Sequence, residues 1–243
     1  MKCKARYIAS LLSLAACSSV ISLPAWSTDD ENSEASASER VLMEGRHTFR
    51  FDTFGDEAFW GDTLRLHEAI EGSALGGVGP GVSPRTALVV GLKVDVAALP
   101  ETLVEDLRAG RVDLDNPATT VALLKLNAVV GVTGFFNGTT LRSIGIQCAL
   151  CHSTVDNSLA AGIGHRLDGW ANRDLNVGAI VALAPDLSTV ATLLQTDQKT
   201  VRRVLGAWGP GNSTRSCYST ARDFAPTARR PRRSFRRLSG SRV

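Results

Sequence analysis

Cys148-Ala149-Leu150-Cys151-His152 is a C-x-x-C-H motif, and it is the most specific chemical signal in the chain. Two thiols at this spacing can reach the two vinyl groups of one porphyrin and bond to them as thioethers. The adjacent histidine is then held beneath the iron as its proximal ligand. The motif therefore predicts one covalently attached haem c, with Cys148 and Cys151 as attachment residues and His152 as the first axial ligand of the iron.

Three other interpretations of the two cysteines stay open. Outside the cytoplasm, Cys148 and Cys151 can form a disulfide, which would make the body a non-haem binding module. A thioredoxin-like redox pair needs a βαβ setting, which the surrounding sequence does not predict. A zinc site needs about four ligands, but the other histidines are scattered and the chain has no second C-x-x-C.

The second axial ligand of the iron is less directly indicated. Small cytochromes often use a methionine downstream of the motif, but no methionine follows Met43. His67 falls on the apolar face of a predicted helix, close to a cluster of aromatic residues. We therefore predict His67 as the second ligand. The alternatives are His165 in a glycine-rich loop, His47, Met43, and an open iron position.

Other residues near the motif could contact a porphyrin. Arg142, Arg166 and Arg173 are candidates for binding the propionates, because a guanidinium group pairs with a carboxylate through two hydrogen bonds. Leu167 and Trp170 could pack on the ring or belong to the protein core.

The first 27 residues have the plan of a secretory signal peptide. Three basic residues precede an apolar run over 7–23, and cleavage is predicted after Ser27. The run is short and polar for a membrane span of roughly 20 residues. A rival cleavage site, Leu14-Ala15-Ala16-Cys17, is similar to a lipobox and would leave a lipidated Cys17 associated with a membrane. Either way, we predict export to the periplasm.

Residues 28–44 are rich in Ser, Glu, Asp and Ala, and we predict a disordered leader. The body over 45–211 is predicted to be mainly α, a cytochrome c-like haem domain with a short β-hairpin before the motif. Asn116-Pro117 predicts a helix start and Asn137-Gly138 a hairpin turn. Helices are expected over 58–70, 99–108, 118–130, 187–194 and 197–208, a strand over 87–96, and hairpin strands over 132–136 and 139–146.

Length and composition limit the class of protein. The chain has 243 residues, 44% hydrophobic and 21% charged, which suffices for one core or two small ones and excludes collagen-like, coiled-coil and wholly disordered proteins. The net charge of +3 is the sum of a basic C-terminal segment and an acidic body. Residues 212–243 hold nine arginines and one aspartate, whereas the body is acidic.

This basic tail, over 212–243, has two interpretations. As a functional arm it would bind anionic lipid or an acidic partner, since an exported protein rarely meets nucleic acid. The second interpretation is a frameshift in the coding sequence at Gly211, which explains more features of the tail than a functional arm does. It accounts for the charge reversal and the lost hydrophobic periodicity, and one choice of codons read in another frame gives an acidic, leucine-bearing segment.

Two stretches together resemble bacterial exported di-haem c-type cytochromes related to cytochrome c peroxidases. They are Phe49–Glu57 with Phe59-Trp60, and the stretch that runs from Ser143 through the motif to Gly178. The resemblance covers about 45–211 and implies a fold and a haem. Members of that family carry a second C-x-x-C-H in a C-terminal half, whereas this chain has one motif only.

The sequence therefore predicts a periplasmic electron-transfer protein whose iron cycles between Fe(II) and Fe(III) and which exchanges electrons with a redox partner protein. The alternative is a peroxidase-like oxidoreductase, truncated here, in which an open iron position binds peroxide. The non-haem binding module with a Cys148–Cys151 disulfide is the third interpretation.

Overall fold

A computed structural model describes residues 28–211. The predicted signal peptide, Cys17 and the basic tail lie outside the described residues. The chain divides into two units, Met1–Met43 and Glu44–Val243. Within the described residues, the first unit holds only the beginning of helix α1, and every other element belongs to the second unit.

The described residues are mainly α, with a few short strands, as predicted. The α-helices are α1 Thr28–Phe51, α2 Leu66–Glu71, α3 Pro84–Val89, α4 Glu101–Arg108, α5 Pro117–Lys125, α6 Ala149–His152, α7 Val177–Ala182, α8 Ser188–Leu193 and α9 Gln198–Gly206. The strands are β1 Val94–Asp95, β2 Val132–Asn137, β3 Thr140–Ile146, β4 Ser153–Val155, β5 Ile163–Gly164 and β6 Arg166–Asp168. They pair as β1 with β5 in parallel, and β2 with β3 and β4 with β6 antiparallel.

The leader over 28–44 is helical in the structure, so the prediction of disorder is wrong for these residues. That prediction rested on the low hydrophobicity of the segment. In agreement with this composition, residues 36–48 are all exposed. Alanine and glutamate are strong helix formers. The segment therefore adopts a helix without burying an apolar face over these residues.

The helix predicted over 58–70 is broken in two. A π-helix covers Ala58–Thr63 and α2 begins at Leu66. Arg65 between them has a left-handed backbone, with φ of 51°. Leu64 and Leu66 are both buried, although two residues apart in a regular helix would point in nearly opposite directions. The turn at Arg65 lets both leucines enter the core.

The prediction of a strand over 87–96 is wrong for most of these residues. Helix α3 occupies its first part, because Ser83 caps the helix by accepting the Thr86 backbone N–H at 3.2 Å and Pro84 stands at the first helical position. Only Val94 and Asp95 form a strand, and they pair with Ile163 and Gly164.

The helix before the hairpin starts as predicted. Asn116 accepts the Ala118 backbone N–H at 2.9 Å, and Pro117 begins α5. The helix ends at Lys125 rather than at 130, since Asn127 has a left-handed backbone and Val130 donates to the Lys93 carbonyl oxygen at 2.9 Å. The hairpin is confirmed, with the first residue of β2 opposite the last of β3 and a register shift between Phe135 and Phe136.

The two C-terminal helices match the prediction within a few residues. Asp197 caps α9 by accepting the Thr200 backbone N–H at 2.9 Å. Helix α9 packs closely on α7, because a Cβ on Gly178 would lie 2.1 Å from the Leu205 carbonyl oxygen. The fully buried apolar residues that hold the core together come from helices, strands and loops along the chain: Leu64, Leu66, Val130, Leu141, Leu175 and Leu187.

The fold places the motif between two pairs of strands. Strand β3 ends at Ile146, the motif helix α6 follows, and β4 begins at Ser153 directly after His152. Among residues 28–211, no helix has the length and apolar content that crossing a membrane requires.

Candidate haem attachment site

The motif forms one short helical turn with two different faces. Cys148 precedes α6, and its side chain is exposed, whereas Cys151 is half-buried. Ala149 and Leu150 between them are buried in the core. The apolar pair therefore anchors the turn to the protein, and the chemistry-bearing side chains stand at the surface. No disulfide joins Cys148 to Cys151 in the described residues.

The His152 ring is exposed and oriented by a backbone group. Its Nδ1 lies 3.3 Å from the Cys148 carbonyl oxygen. A carbonyl oxygen only accepts, so Nδ1 carries the ring proton and Nε2 keeps its lone pair. A histidine ligand characteristically donates its other ring N–H to such a group, which orients the ring. The ring is therefore arranged to offer Nε2 to a metal.

Gly131 supports the motif from beneath. Its carbonyl oxygen accepts the Gln147 backbone N–H at 3.1 Å. A Cβ on Gly131 would lie 2.1 Å from the Leu150 backbone nitrogen, and its φ is +76°. The Gln147 side chain, also buried, donates to Thr133 Oγ1 at 2.7 Å. The residue directly before β2 and the beginning of β2 itself thus hold the motif in contact with the core.

A turn downstream is hydrogen-bonded to the motif backbone at two points. Gly169 donates its N–H to the His152 carbonyl oxygen at 2.8 Å, and Asn172 donates its N–H to the Cys151 carbonyl oxygen at 2.9 Å. The buried Asn172 amide also donates to the Gly91 carbonyl oxygen at 2.9 Å. We call residues 168–172 the latch, because they connect the ligand-bearing residues to a distant part of the fold.

A carboxylate from the aromatic segment supports the other side of the motif. Asp56 accepts the Ile146 backbone N–H at 3.0 Å and the Trp60 indole N–H at 2.8 Å. This contact joins residues 90 apart in sequence. Asp56, Asp168 and Asn172 were missed as site residues by sequence reasoning, whereas Trp170 of the latch was a candidate. The signal that could have found them is their position within the segments that carry the family resemblance.

Charged residues connect α1 to the strand after the motif. Arg50 Nε and Nη2 lie 2.7 and 2.6 Å from Asp168 Oδ2. Asp168 Oδ1 accepts the hydroxyl of the buried Ser153 at 2.9 Å. The end of α1 is therefore attached directly beside His152.

Apolar side chains remain exposed on the segments that flank the motif. Trp170 in the latch is 66% exposed and Phe54 is 69% exposed. Folded chains usually bury aromatic rings of this size. The other members of this group, less exposed, are Phe51, Phe59 and Leu167. Phe51 is adjacent in sequence to Arg50, which pairs with Asp168, and Phe54 is close in sequence to Asp56, which is hydrogen-bonded to Ile146.

His67, the predicted second ligand, has no hydrogen bond or ring contact with His152. Helix α2 ends at Glu71, which accepts the Leu141 backbone N–H at the beginning of β3, while the motif follows the other end of that strand. The His67 Nδ1 atom is buried without a hydrogen-bond partner. Burial is the main influence on this ring and lowers its pKa below the usual value.

The other predicted ligands are also engaged elsewhere. His165 Nδ1 lies 3.1 Å from Ser158 Oγ and 3.3 Å from Asp156 Oδ2. Hydrogen bonds from the Ser158 hydroxyl and backbone hold the pKa of Asp156 well below its usual range. The His47 ring stacks on Phe51 with centroids 5.3 Å apart. Met43 is exposed on α1.

Two of the three candidate propionate residues are accessible. Arg142 and Arg173 are exposed, and Arg173 directly follows the latch. Arg166 is instead buried, with its Nε 3.3 Å from Asp95 Oδ2 and its guanidinium 5.8 Å from the Phe51 ring centre. Burial lowers the pKa of Arg166, although the ion pair with Asp95 opposes this change. Arg166, the first residue of β6, therefore points into the protein interior and is not a surface group.

Comparisons with family models, with curated proteins and with solved structures found no match. The described residues also contain no cluster of three or more His, Cys, Asp or Glu side chains arranged to hold a metal ion.

Proposed function

We propose that this protein is an exported electron carrier with one covalent haem c, attached at Cys148 and Cys151 and bound through His152. The observation that carries the proposal is the arrangement of the residues in the C-x-x-C-H motif. The two cysteines have the sequence spacing typical of haem c attachment, and the His152 ring donates through Nδ1 to the Cys148 carbonyl oxygen, which leaves Nε2 for iron.

The surroundings of the motif support the same conclusion. The motif backbone is held by Gly131 on one side and by the latch on the other. The exposed apolar group, with Trp170 and Phe54 as its most exposed members, supplies a surface that a porphyrin would cover. Arg173, which is exposed and follows the latch in sequence, remains a candidate partner for a propionate.

When bound, haem c supplies a one-electron Fe(II)/Fe(III) couple. The residues of this chain have separate tasks around it. Cys148 and Cys151 retain the group, which an exported protein could otherwise lose. His152 provides the proximal nitrogen, and the hydrogen bond at its Nδ1 increases the basicity of that nitrogen. The apolar side chains exclude water and thereby influence the reduction potential. The proposal includes a periplasmic location and a redox partner protein.

The test is expression with a signal peptide in a host that has a cytochrome c maturation system, followed by haem staining of a denaturing gel. The wild type should give a stained band. The double variant Cys148→Ser with Cys151→Ser should lose the stain and keep the protein. The matched control Asp115→Asn, which breaks the exposed Arg85–Asp115 ion pair, should stain like the wild type. An unstained wild-type band with one titratable thiol per chain, that of Cys217, would overturn the proposal and support the disulfide module.

A peroxidase-like activity is the second candidate, and one observation favours it. In the described residues, His165 is hydrogen-bonded to Ser158 and His47 packs on Phe51, so two of the three candidate histidines already have other partners. A position opposite His152 that no protein ligand fills would admit peroxide. High-spin ferric haem that reacts with peroxide would support this activity, and low-spin haem without reactivity would support the carrier with a second protein ligand such as His67.

A further inference from the structure

Both carboxylate oxygens of Asp168, the last residue of β6, have hydrogen-bond partners. Oδ2 receives Arg50 through Nε at 2.7 Å and Nη2 at 2.6 Å. Oδ1 accepts the Ser153 hydroxyl at 2.9 Å. About three quarters of the Arg50 and Asp168 side chains is shielded from solvent. Such a network holds a carboxylate in one orientation better than a single exposed ion pair does.

These contacts lead to the backbone of His152. Ser153 follows His152 directly and pairs with Asp168 in the β4–β6 ladder. Gly169, the next residue after Asp168, donates its N–H to the His152 carbonyl oxygen at 2.8 Å. A displacement of Asp168 would therefore move both the residue after His152 and the hydrogen bond to its carbonyl group.

We propose that Asp168, held by Arg50, is a positioning residue for His152, so that the end of helix α1 sets the orientation of the iron's histidine ligand. The inference rests on the proposed haem function and extends it to residues outside the motif. The ring orientation depends on where the backbone of His152 lies relative to the Cys148 carbonyl oxygen that receives its Nδ1 proton. The network at Asp168 restrains that backbone through Ser153, the residue after His152, and through Gly169, which donates to the His152 carbonyl oxygen.

The experiment compares Asp168→Asn and Arg50→Gln with the wild type, using haem-loaded full-length protein. Three quantities are measured: haem per chain, the ferric electron paramagnetic resonance spectrum, and the reduction potential. Removing the negative charge at 168 raises the potential, whereas removing the positive charge at 50 lowers it, if charge alone acts. A changed ligand orientation alters the resonance spectrum in the same way in both variants, because both release the same network.

We expect both variants to retain covalent haem and to show the same change in the g-values of the ferric spectrum. Asp168→Glu keeps a carboxylate for Arg50 and should give a smaller change. Asp115→Asn, which removes an ion pair far from the motif in sequence, should give the wild-type spectrum.

Two results would overturn the inference. The first is haem-loaded Asp168→Asn and Arg50→Gln with spectra that superimpose on the wild type, even where their potentials shift in opposite directions. The second is a wild type without covalent haem, which overturns the proposed function as well and is recognised from the stain before any variant is compared. Where Asp168→Asn does not accumulate, Arg50→Gln alone gives the same comparison.

Discussion

Asn172 donates its backbone N–H to the carbonyl oxygen of Cys151 at 2.9 Å, while its buried side-chain amide donates to the Gly91 carbonyl oxygen at 2.9 Å. One residue thus connects Cys151, the second cysteine of the motif, with the turn before strand β1. The motif is local in sequence, but its placement depends on contacts of this kind from distant segments.

Asn172→Ala should destabilise the protein, because it leaves the Gly91 carbonyl oxygen without this buried donor. The expected loss is about 1–3 kcal/mol in the free energy of unfolding, measured by urea denaturation. Thr102→Ala, an exposed change on helix α4, is the control and should stay close to the wild type. Equal stability of the two variants would show that the Asn172 side chain does not support the site.

Gly131→Ala should disturb the motif through steric contact. The new Cβ would lie 2.1 Å from the Leu150 backbone nitrogen at a φ of +76°, so the motif helix must shift. Gly138→Ala is a matched control, since Gly138 also has a positive φ, of +61°, but nothing lies within 4 Å of its added Cβ. We expect Gly131→Ala to reduce haem attachment and the melting temperature more than Gly138→Ala does. The reverse order would contradict the packing described here.

His67 should make stability depend on pH. Burial lowers its pKa in the folded protein, so the unfolded chain binds a proton more readily. Its contribution is present above the unfolded pKa of about 6.5 and is lost as the pH falls toward the folded pKa. Urea denaturation at pH 8 and pH 5.5 should show a smaller loss of stability on acidification for His67→Gln than for the wild type. An identical loss in both proteins would show that His67 is not a buried neutral imidazole.

Substitutions of Lys93 and of Asp174 should lower the free energy of unfolding by different amounts. Lys93 is buried, and its Nζ lies 2.5 Å from Oδ2 of the exposed Asp174. Asp174→Asn leaves a buried ammonium group without its counter-charge, whereas Lys93→Met replaces that group with an apolar chain of similar length. Because the Asp174 side chain is 71% exposed, water reaches this pair, and Asp174→Asn should cost less than the roughly 3–5 kcal/mol of a fully buried pair. Lys93→Met leaves only a solvated carboxylate without its partner and should cost less still. Greater destabilisation by Lys93→Met, measured by chemical denaturation, would contradict this account.

The elements that the sequence predicted correctly are those specified by adjacent residues. Asn116-Pro117 starts α5, and the hairpin forms around Asn137 and Gly138 because these residues favour such conformations by themselves. The break at Arg65 was missed because it depends on two leucines, Leu64 and Leu66, that must enter the same core. Local periodicity does not record that requirement.

The candidate site, like the fold, was predictable only where adjacent residues specify it. Cys148, Cys151 and His152 follow from spacing alone. The supporting residues Asp56, Asp168 and Asn172 act through hydrogen bonds to residues far away in sequence, and no short pattern specifies them. The second ligand stays a prediction, because the placement of a histidine opposite His152 depends on tertiary structure that spacing does not determine.

The intact mass of the exported wild-type protein, produced with a cytochrome c maturation system, tests the central claim most directly. We predict a mass that exceeds that of the polypeptide by one haem, and a Cys148→Ser, Cys151→Ser variant whose mass shows no such excess. A wild-type mass equal to that of the polypeptide alone, under conditions in which a known c-type cytochrome is fully loaded, would contradict the account.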